Sequence, residues 1–210
     1  MARKQFLSFL LIFSLLFSCA SALAETDDDD DWDDNVDDAW EMEHPLHSGD
    51  YAYALLDDGT VEITSYGGAD TEIVIPDTLD GKPATAIGER AFYYSLSLTS
   101  VTIPDSVTCI SKRAFSCCYN LMSIALPSGL TAIEPGTFEL CNSLTSIAIP
   151  DSITTIAEDA FVSCKALQSF TLSPNHPYFF LADGALCRTV DNTLLFYPNA
   201  RENRTYRIPD

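Results

Sequence analysis

A segment of 23 residues occurs three times in succession, and this period constrains the fold more than any other feature of the chain. The copies begin at Val101, Ile124 and Ile147 and read VTIPDSVTCISKRAFSCCYNLMS, IALPSGLTAIEPGTFELCNSLTS and IAIPDSITTIAEDAFVSCKALQS. An earlier copy, 73–100, matches once the five-residue insert at 80–84 is removed. A fixed period of this length is typical of a stacked array, in which no unit can bury its apolar face alone. The sequence therefore predicts a solenoid.

Each copy opens with alternating apolar and variable residues, as in Val101-Thr102-Ile103. This period of two indicates a short strand with one buried side. Proline follows in every copy, and because it has no N–H to donate, it ends the strand and turns the chain. A second apolar pair, Val107 and Ile110 in this copy, predicts another brief extended segment on the opposite wall.

Aromatic and aliphatic columns recur at fixed positions in the copies. When equivalent strands stack about 4.8 Å apart, identical residues form continuous internal ladders. Burying each such side chain contributes roughly 1.5–3 kcal/mol, so the repeats themselves supply the core. The predicted core ladders are Phe92, Phe115, Phe138 and Phe161; Leu98, Leu121, Leu144 and Leu167; and Ile110, Ile133 and Ile156.

These residues resemble the leucine-rich repeats of the BspA-like family, whose units follow L-x-x-[IV]-x-[IL]-P-x-x-[ILV]-T-x-I-x-x-x-A-F-x-x-C. The chain carries this pattern across 73–172 and in degraded form to its end. The resemblance implies an extracellular solenoid used for adhesion or ligand binding. We expect a leucine-rich repeat fold, mainly β with short helical turns at the Ala-Phe segments, in a right-handed stack of about five units.

The lead-in to the repeats is also similar to that family. Residues 51–67 form two alternating runs around Asp57-Asp58-Gly59, and Gly59 supplies the positive φ that a tight hairpin needs. We expect a capping hairpin within 51–72 that covers the first apolar end of the stack.

The N-terminus has the pattern of a secretory signal. Arg3 and Lys4 precede an apolar run over 6–17, and Ala22-Leu23-Ala24 offers a cleavage site of small residues. The run is too short for a bilayer about 30 Å thick, which predicts a signal peptide over 1–24 and a secreted or cell-surface protein. The alternative is a lipoprotein anchored at Cys19.

Residues 25–50 contain thirteen acids and no Lys or Arg, within a chain whose formal net charge is −20. Crowded like charges repel and stay solvated, which predicts a disordered acidic linker. The alternative role is loose calcium binding, since carboxylates are oxygen ligands. The acidic charge excludes nucleic acid as a partner, because no basic stripe can meet the phosphates.

Three of the cysteines share one column, Cys118, Cys141 and Cys164, where the first copy has a serine. Since that position accepts a small side chain, we expect buried free thiols rather than bridge partners. If bridges form, Cys109 with Cys117 is the first alternative pair.

The sequence offers no recognisable catalytic or cofactor motif. His176 lies between prolines in an irregular stretch, which favours a turn residue over a general base. Histidine and cysteine spacings do not fit zinc. We therefore predict no catalytic residues, no metal site and no cofactor.

The repeat loosens after Ser169. The repeat domain, 73–210, divides into 73–100, 101–123, 124–146, 147–169, an irregular segment 170–205 with a hairpin around Asp191-Asn192, and a partial repeat 206–210. Because the last unit stops in its first strand, we expect an uncapped C-terminal end that self-associates.

The predicted function is non-enzymatic protein or glycan binding, or adhesion. Tyr93, Tyr94 and Tyr119 lie off the core columns and are the candidate binding residues, since tyrosine combines contact area with a polar tip. Half-burial of Tyr94, which shares a column with Cys117 and Leu140, is the simpler alternative. A structural spacer that carries another module is the second functional interpretation, because the chain could be a fragment, and an enzyme is the third.

Overall fold

The computed structural model describes residues 45–200, and every regular element in this range is a β-strand. Strands of successive copies pair in parallel, while antiparallel sheets lie before and after them. The repeat region is a β-solenoid of about five turns, which confirms the predicted fold class. The strands are β1 (Leu46–Ser48), β2 (Tyr51–Leu55), β3 (Val61–Tyr66), β4 (Glu72–Val74), β5 (Thr78–Leu79), β6 (Lys82–Ile87), β7 (Ser100–Thr102), β8 (Cys109–Ile110), β9 (Ser123–Ala125), β10 (Ala132–Ile133), β11 (Ser146–Ala148), β12 (Thr155–Ile156), β13 (Ser169–Thr171), β14 (Phe179–Ala182), β15 (Ala185–Arg188) and β16 (Leu194–Phe196).

The opening strands of the copies form the first wall. In the sheet β4-β7-β9, Ile73 pairs with Val101 and Val101 pairs with Ile124. Farther along, β11 pairs with β13 and sets Ile147 opposite Phe170. These five residues are buried, whereas the residue that follows each of them is exposed. The predicted alternation is confirmed.

The second apolar pair of each copy forms the opposite wall, as expected. Here β6 pairs in parallel with β8 and β10 with β12, which sets Ile87 beside Ile110 and Ile133 beside Ile156. All four isoleucines are buried. We call the four copies coils 1 to 4, which cover 73–100, 101–123, 124–146 and 147–169.

The Ala-Phe segments are turns, and the prediction that they are helical is wrong. Within 113–118, the N–H groups of Ser116 and Cys118 donate to the carbonyl three residues back, at 3.1 and 3.4 Å. Those of Phe115 and Cys117 instead donate to carbonyl oxygens of the next coil, at 3.0 and 2.8 Å. A helix over these residues would use the Cys117 N–H for a bond within its own segment. Alternate N–H groups therefore build a third ladder between coils.

The phenylalanine column runs through the core. Ring centroids of successive members lie 4.8 to 5.9 Å apart with interplanar angles of 10° to 14°. Tyr66 of β3 extends the stack, with its ring 5.4 Å from that of Phe92. Every predicted ladder residue is buried: Phe92, Phe115, Phe138, Phe161, Leu98, Leu121, Leu144, Leu167, Ile110, Ile133 and Ile156.

The cysteine column contains buried free thiols. Each Sγ of Cys118, Cys141 and Cys164 donates to the carbonyl oxygen of the phenylalanine in the preceding coil, at 3.0 to 3.3 Å. Burial raises the pKa of Cys118 and Cys164 to about 12, and it raises the pKa of Cys141 well above its ordinary value. Cys117 is also a free buried thiol, so the alternative bridge between Cys109 and Cys117 is not formed.

An N-terminal antiparallel sheet covers coil 1, and the predicted hairpin is part of it. Strands β2 and β3 pair on either side of a turn in which Gly59 has a φ of 82°. Because β3 then pairs in parallel with β6, the hairpin continues the second wall by one strand. Val61 and Ile63 of β3 are completely buried.

Strand β1 differs from the expectation of a disordered linker over 25–50. Its three residues pair with β2, so order begins before the predicted hairpin. The insert at 80–84 explains part of this order. Asp80 occupies a tight turn between β5 and β6, and its carboxylate accepts hydrogen bonds from Ser48 Oγ at 2.8 Å and the Tyr53 hydroxyl at 2.7 Å. The acid-rich residues 25–44 and the predicted signal peptide lie outside the described residues.

An antiparallel sheet packs against the last described coil. Strands β14, β15 and β16 form this sheet. Phe196 of β16 places its ring edge-on against Phe161 at 5.1 Å, and the Ala200 N–H donates to the Leu167 carbonyl at 2.9 Å. The sheet thus covers the aromatic column at Phe161, and self-association through the unit that begins at Tyr206 stays a prediction. The partial repeat 206–210 lies outside the described residues.

Candidate functional site

The three predicted tyrosines lie together on the turn side of coils 1 and 2; we call them the tyrosine cluster. The rings of Tyr93 and Tyr94 have centroids 6.2 Å apart, and Tyr94 meets Tyr119 edge-on at 5.8 Å with an interplanar angle of 81°. Tyr93 is 49% exposed and Tyr94 is 53% exposed, while Tyr119 is half-buried. The arrangement presents aromatic area to solvent.

Tyr94 and its column neighbours share one backbone conformation but differ in the burial of their side chains. Tyr94, Cys117, Leu140 and Ser163 share one repeat position, and all four have a left-handed φ between 60° and 63°. That conformation is uncommon for residues other than glycine. Cys117 is small enough to be buried there, whereas the larger Tyr94 side chain is half exposed. With about half of its surface exposed, Tyr94 is compatible with the half-burial alternative as well as with a binding role.

The buried Cys117 side chain lies close to the cluster. Its proximity is the main reason that the pKa values of the Tyr93 and Tyr119 phenols are raised. The Ser116 hydroxyl donates to Cys117 Sγ, at 3.6 Å. The ring contacts Tyr93–Tyr94 and Tyr94–Tyr119 restrict the motion of the three side chains, which lowers the entropy that a ligand must remove on binding.

Charged side chains border the cluster on one side. The guanidinium carbon of Arg90 lies 5.9 Å from the centroid of the Tyr93 ring. Lys112 pairs with Glu89 at 3.3 Å, and Arg113 pairs with Glu139 at 3.7 Å. These ion pairs are exposed and contribute little to stability, so the charges remain accessible to a ligand.

Two exposed apolar residues on the same turns, Leu96 and Met122, were not identified from the sequence. Leu96 is 40% exposed and Met122 is 54% exposed. A signal for them was present in the repeat, because the positions of Leu96 and Met122 are filled by polar residues in coils 3 and 4: Asn142 and Lys165, and Thr145 and Gln168.

Outside the tyrosine cluster, a cleft borders the C-terminal sheet. This cleft of about 280 Å³ lies between coil 4 and the C-terminal sheet, with Phe161, Leu195 and Phe196 in its walls. No group of three or more His, Cys, Asp or Glu side chains in this range is placed to hold a metal ion. Nor does any helix there have the length and apolar character needed to cross a membrane.

His176 is buried and used structurally. Its Nε2 lies 3.0 Å from the Pro150 carbonyl oxygen, to which it can donate, and its Nδ1 accepts the N–H groups of Tyr178 and Phe179, each at 3.2 Å. This agrees with the predicted turn role and ties the C-terminal sheet to coil 4.

Comparison with solved structures places the chain among bacterial leucine-rich repeat proteins. A leucine-rich repeat protein from Bacteroides capillosus is 30% identical, with coverage of 61% of this chain and 98% of the other and a TM-score of 0.53. The T. pallidum leucine-rich repeat protein is 29% identical over 60% of this chain and 71% of its own, with a TM-score of 0.52. A leucine-rich repeat protein from Eubacterium ventriosum shares the fold at 23% identity, with a TM-score of 0.55 over 77% of this chain and 52% of its own.

No curated protein matches the sequence. The model of the BspA type leucine-rich repeat region matches residues 71–180 in six copies, which is more than half of the chain. Strand register, buried columns and sequence pattern all agree with that match. The chain therefore belongs to the BspA-type leucine-rich repeat family.

Proposed function

We propose that the protein is a non-enzymatic binding or adhesion protein, secreted or held at the cell surface, that recognises a protein or glycan through the tyrosine cluster. The observation that carries this proposal is the exposure of Tyr93 and Tyr94 on a turn whose backbone is fixed by hydrogen bonds to the next coil. Tyrosine is enriched where binding energy is concentrated, because it buries a large area with few rotatable bonds. The signal-like sequence over 1–24 supports the extracellular location.

The stacked coils suit this role because they act as a rigid support. The backbone N–H groups of Phe92 and Tyr94 donate to the carbonyls of Ala114 and Ser116 in coil 2, at 2.8 and 3.1 Å. A ligand at the tyrosine cluster therefore meets side chains on a preformed surface, and little folding cost is added to binding.

The test is an array of purified extracellular-matrix proteins and immobilised glycans probed with the full chain and with Tyr93→Ser/Tyr94→Ser/Tyr119→Ser. We expect the triple variant to lose at least tenfold in affinity for the bound ligand, in line with hot-spot truncation. Tyr178→Ser is the matched control, because Tyr178 is 44% exposed on the segment before β14, away from the cluster. Equal binding by the triple variant would refute the proposal, and a chain that binds nothing on the array would favour the spacer interpretation.

A further inference from the structure

We propose that the tyrosine cluster, together with Leu96 and Met122, forms a protein-docking surface that selects an apolar peptide segment flanked by carboxylates. This inference rests on the proposed function and narrows it from protein or glycan to protein. We call the five residues Tyr93, Tyr94, Leu96, Tyr119 and Met122 the docking patch.

The docking patch occupies neighbouring positions on two hydrogen-bonded coils. The Asn120 side-chain amide donates to the Leu96 carbonyl at 2.8 Å, and the Met122 N–H donates to the Thr99 carbonyl at 2.8 Å. These bonds hold the ends of the two turns side by side. Leu96 and Tyr119 share one repeat position, so their backbones are direct neighbours across the coils. The turns that carry the five side chains are therefore adjacent.

The later coils serve as an internal control for the alternative that packing alone requires these residues. The position of Tyr93 is filled by Glu139 in coil 3 and by Val162 in coil 4, and the position of Leu96 is filled by Asn142 and Lys165. The fold thus accepts polar residues at these turns. Exposed apolar side chains are costly for solubility, and a cluster of them on a surface marks an interaction site. The docking patch is therefore not explained by the solenoid itself.

Leu96 and Met122 favour a protein over a glycan. A sugar is held by ring stacking and by hydrogen bonds to its hydroxyl groups, and neither Leu96 nor Met122 supplies either. Protein interfaces are enriched in tyrosine, methionine and arginine, and methionine adapts its shape to an apolar partner. The exposed fractions of 40% for Leu96 and 54% for Met122 leave both side chains available for such contacts.

The charges beside the docking patch indicate the partner's chemistry. Residues 45–200 contain 17 acids and six bases, a formal net charge of −11. Of the six bases, Arg90 lies against the Tyr93 ring, and Lys112 and Arg113 are linked to this border through their pairs with Glu89 and Glu139. Bases therefore outnumber acids at this border although acids dominate the domain. Carboxylates of a partner are best accepted here, and Arg90 beside the Tyr93 ring is placed to meet one.

The experiment selects a phage-displayed random dodecapeptide library on the immobilised full chain and then measures the enriched peptides in solution. We expect the enriched peptides to combine Leu, Phe or Tyr with adjacent Asp or Glu. Leu96→Ser/Met122→Ser should weaken their binding at least tenfold, and Arg90→Glu should weaken binding and reduce its dependence on salt. Val190→Ser is the control, because it removes an apolar side chain that is 85% exposed on the C-terminal part of the chain.

Thermal unfolding of each variant shows whether its fold is kept. Failure to enrich any peptide, enrichment of peptides without acidic residues, or equal binding by Leu96→Ser/Met122→Ser overturns the inference. If that double variant still binds a ligand on the matrix and glycan array while the tyrosine triple variant does not, the proposed function holds and the protein-specific surface is wrong. If the tyrosine triple variant binds as well as the unchanged chain, the proposed function fails as well.

Discussion

Replacing Phe138 with alanine should destabilise the solenoid by an amount that follows from its place in the aromatic column. Phe138 is completely buried and stacks on Phe115 at 5.9 Å and on Phe161 at 5.5 Å. Loss of the buried ring costs about 2–3 kcal/mol, and each lost stacking contact costs about 0.5–1.5 kcal/mol more. The total agrees with the roughly 3–5 kcal/mol observed for buried Phe→Ala changes. At about 2–4 °C per kcal/mol, the unfolding midpoint should fall by about 6–20 °C.

Circular dichroism during thermal unfolding measures this change. Because each coil is coupled to its neighbours, Phe138→Ala should also broaden or split the transition as the coils on either side separate energetically. Val162→Ala is the control, since Val162 follows Phe161 in the next coil but is 45% exposed, and its midpoint should hardly move. A midpoint unchanged in Phe138→Ala, or a fall equal to that of the control, would refute an interior aromatic column as the source of stability.

Three further predictions concern the thiols, the C-terminal sheet and the N-terminal sheet. Because their pKa values are raised to about 12, Cys118 and Cys164 should resist alkylation at pH 8 in the native protein. After denaturation, both should react without a reductant. If mass spectrometry finds that they react only after reduction, they are not free thiols. His176→Ala leaves the N–H groups of Tyr178 and Phe179 without their acceptor and should lower the free energy of unfolding in urea by about 1–3 kcal/mol. His176→Asn should recover part of this loss. Equal stability of the unchanged protein and both variants would contradict a structural role for His176. The hydrogen bonds from Tyr53 and Ser48 lower the pKa of Asp80 in the folded protein. The carboxylate therefore stabilises the folded state at a pH above the pKa of Asp80 in the unfolded chain, and this stabilisation is lost as the pH falls through the lower pKa of the folded protein. Hydrogen exchange of β1 and β2, corrected for intrinsic rates, should therefore accelerate from pH 5 to pH 3 in the unchanged chain but much less in Asp80→Asn, and equal acceleration would contradict the Asp80 contacts.

The repeat made the core predictable because its signal is redundant. Ile110, Phe115 and Leu121 each recur at the same offset in other copies, so one column supports the next. The helical turns were predicted wrongly because Ala and Phe give no information on where their N–H groups bond. In a stack, the carbonyls of the next coil compete with the helical acceptor, and this contact is not local in sequence.

Features outside the period were harder to predict. Strand β1 follows an acidic run, and nothing in its own residues shows that Asp80 will accept a hydrogen bond from Ser48. Tyr66 joins the phenylalanine stack from a hairpin that does not follow the repeat. Phe196 reaches Phe161 from a sheet that interrupts the pattern, so the closure of the stack could not be inferred from columns.

The candidate site was partly visible in the sequence. Tyr93, Tyr94 and Tyr119 stand out because they are large and lie off the core columns. The ring contacts among them were not predictable, because they depend on which side chains of neighbouring coils meet at the surface. Leu96 and Met122 were missed because exposed aliphatic residues are common on protein surfaces. They become informative only when they are compared with the polar residues at the same repeat positions in coils 3 and 4.

Because the coils are held in register, the repeat region can change its length only by whole coils. Strand pairs, turn hydrogen bonds and ring stacks all join equivalent positions of successive copies. Removal of 124–146 as a whole would bring Phe115 against Phe161 and leave every ladder continuous, whereas a deletion one residue longer or shorter would turn buried side chains outward along the wall. The insert at 80–84 escapes this rule because it leaves the stack as the hairpin β5–β6 and returns in register. The array can therefore gain or lose coils as units, or extra residues at its corners, while its interior stays unchanged.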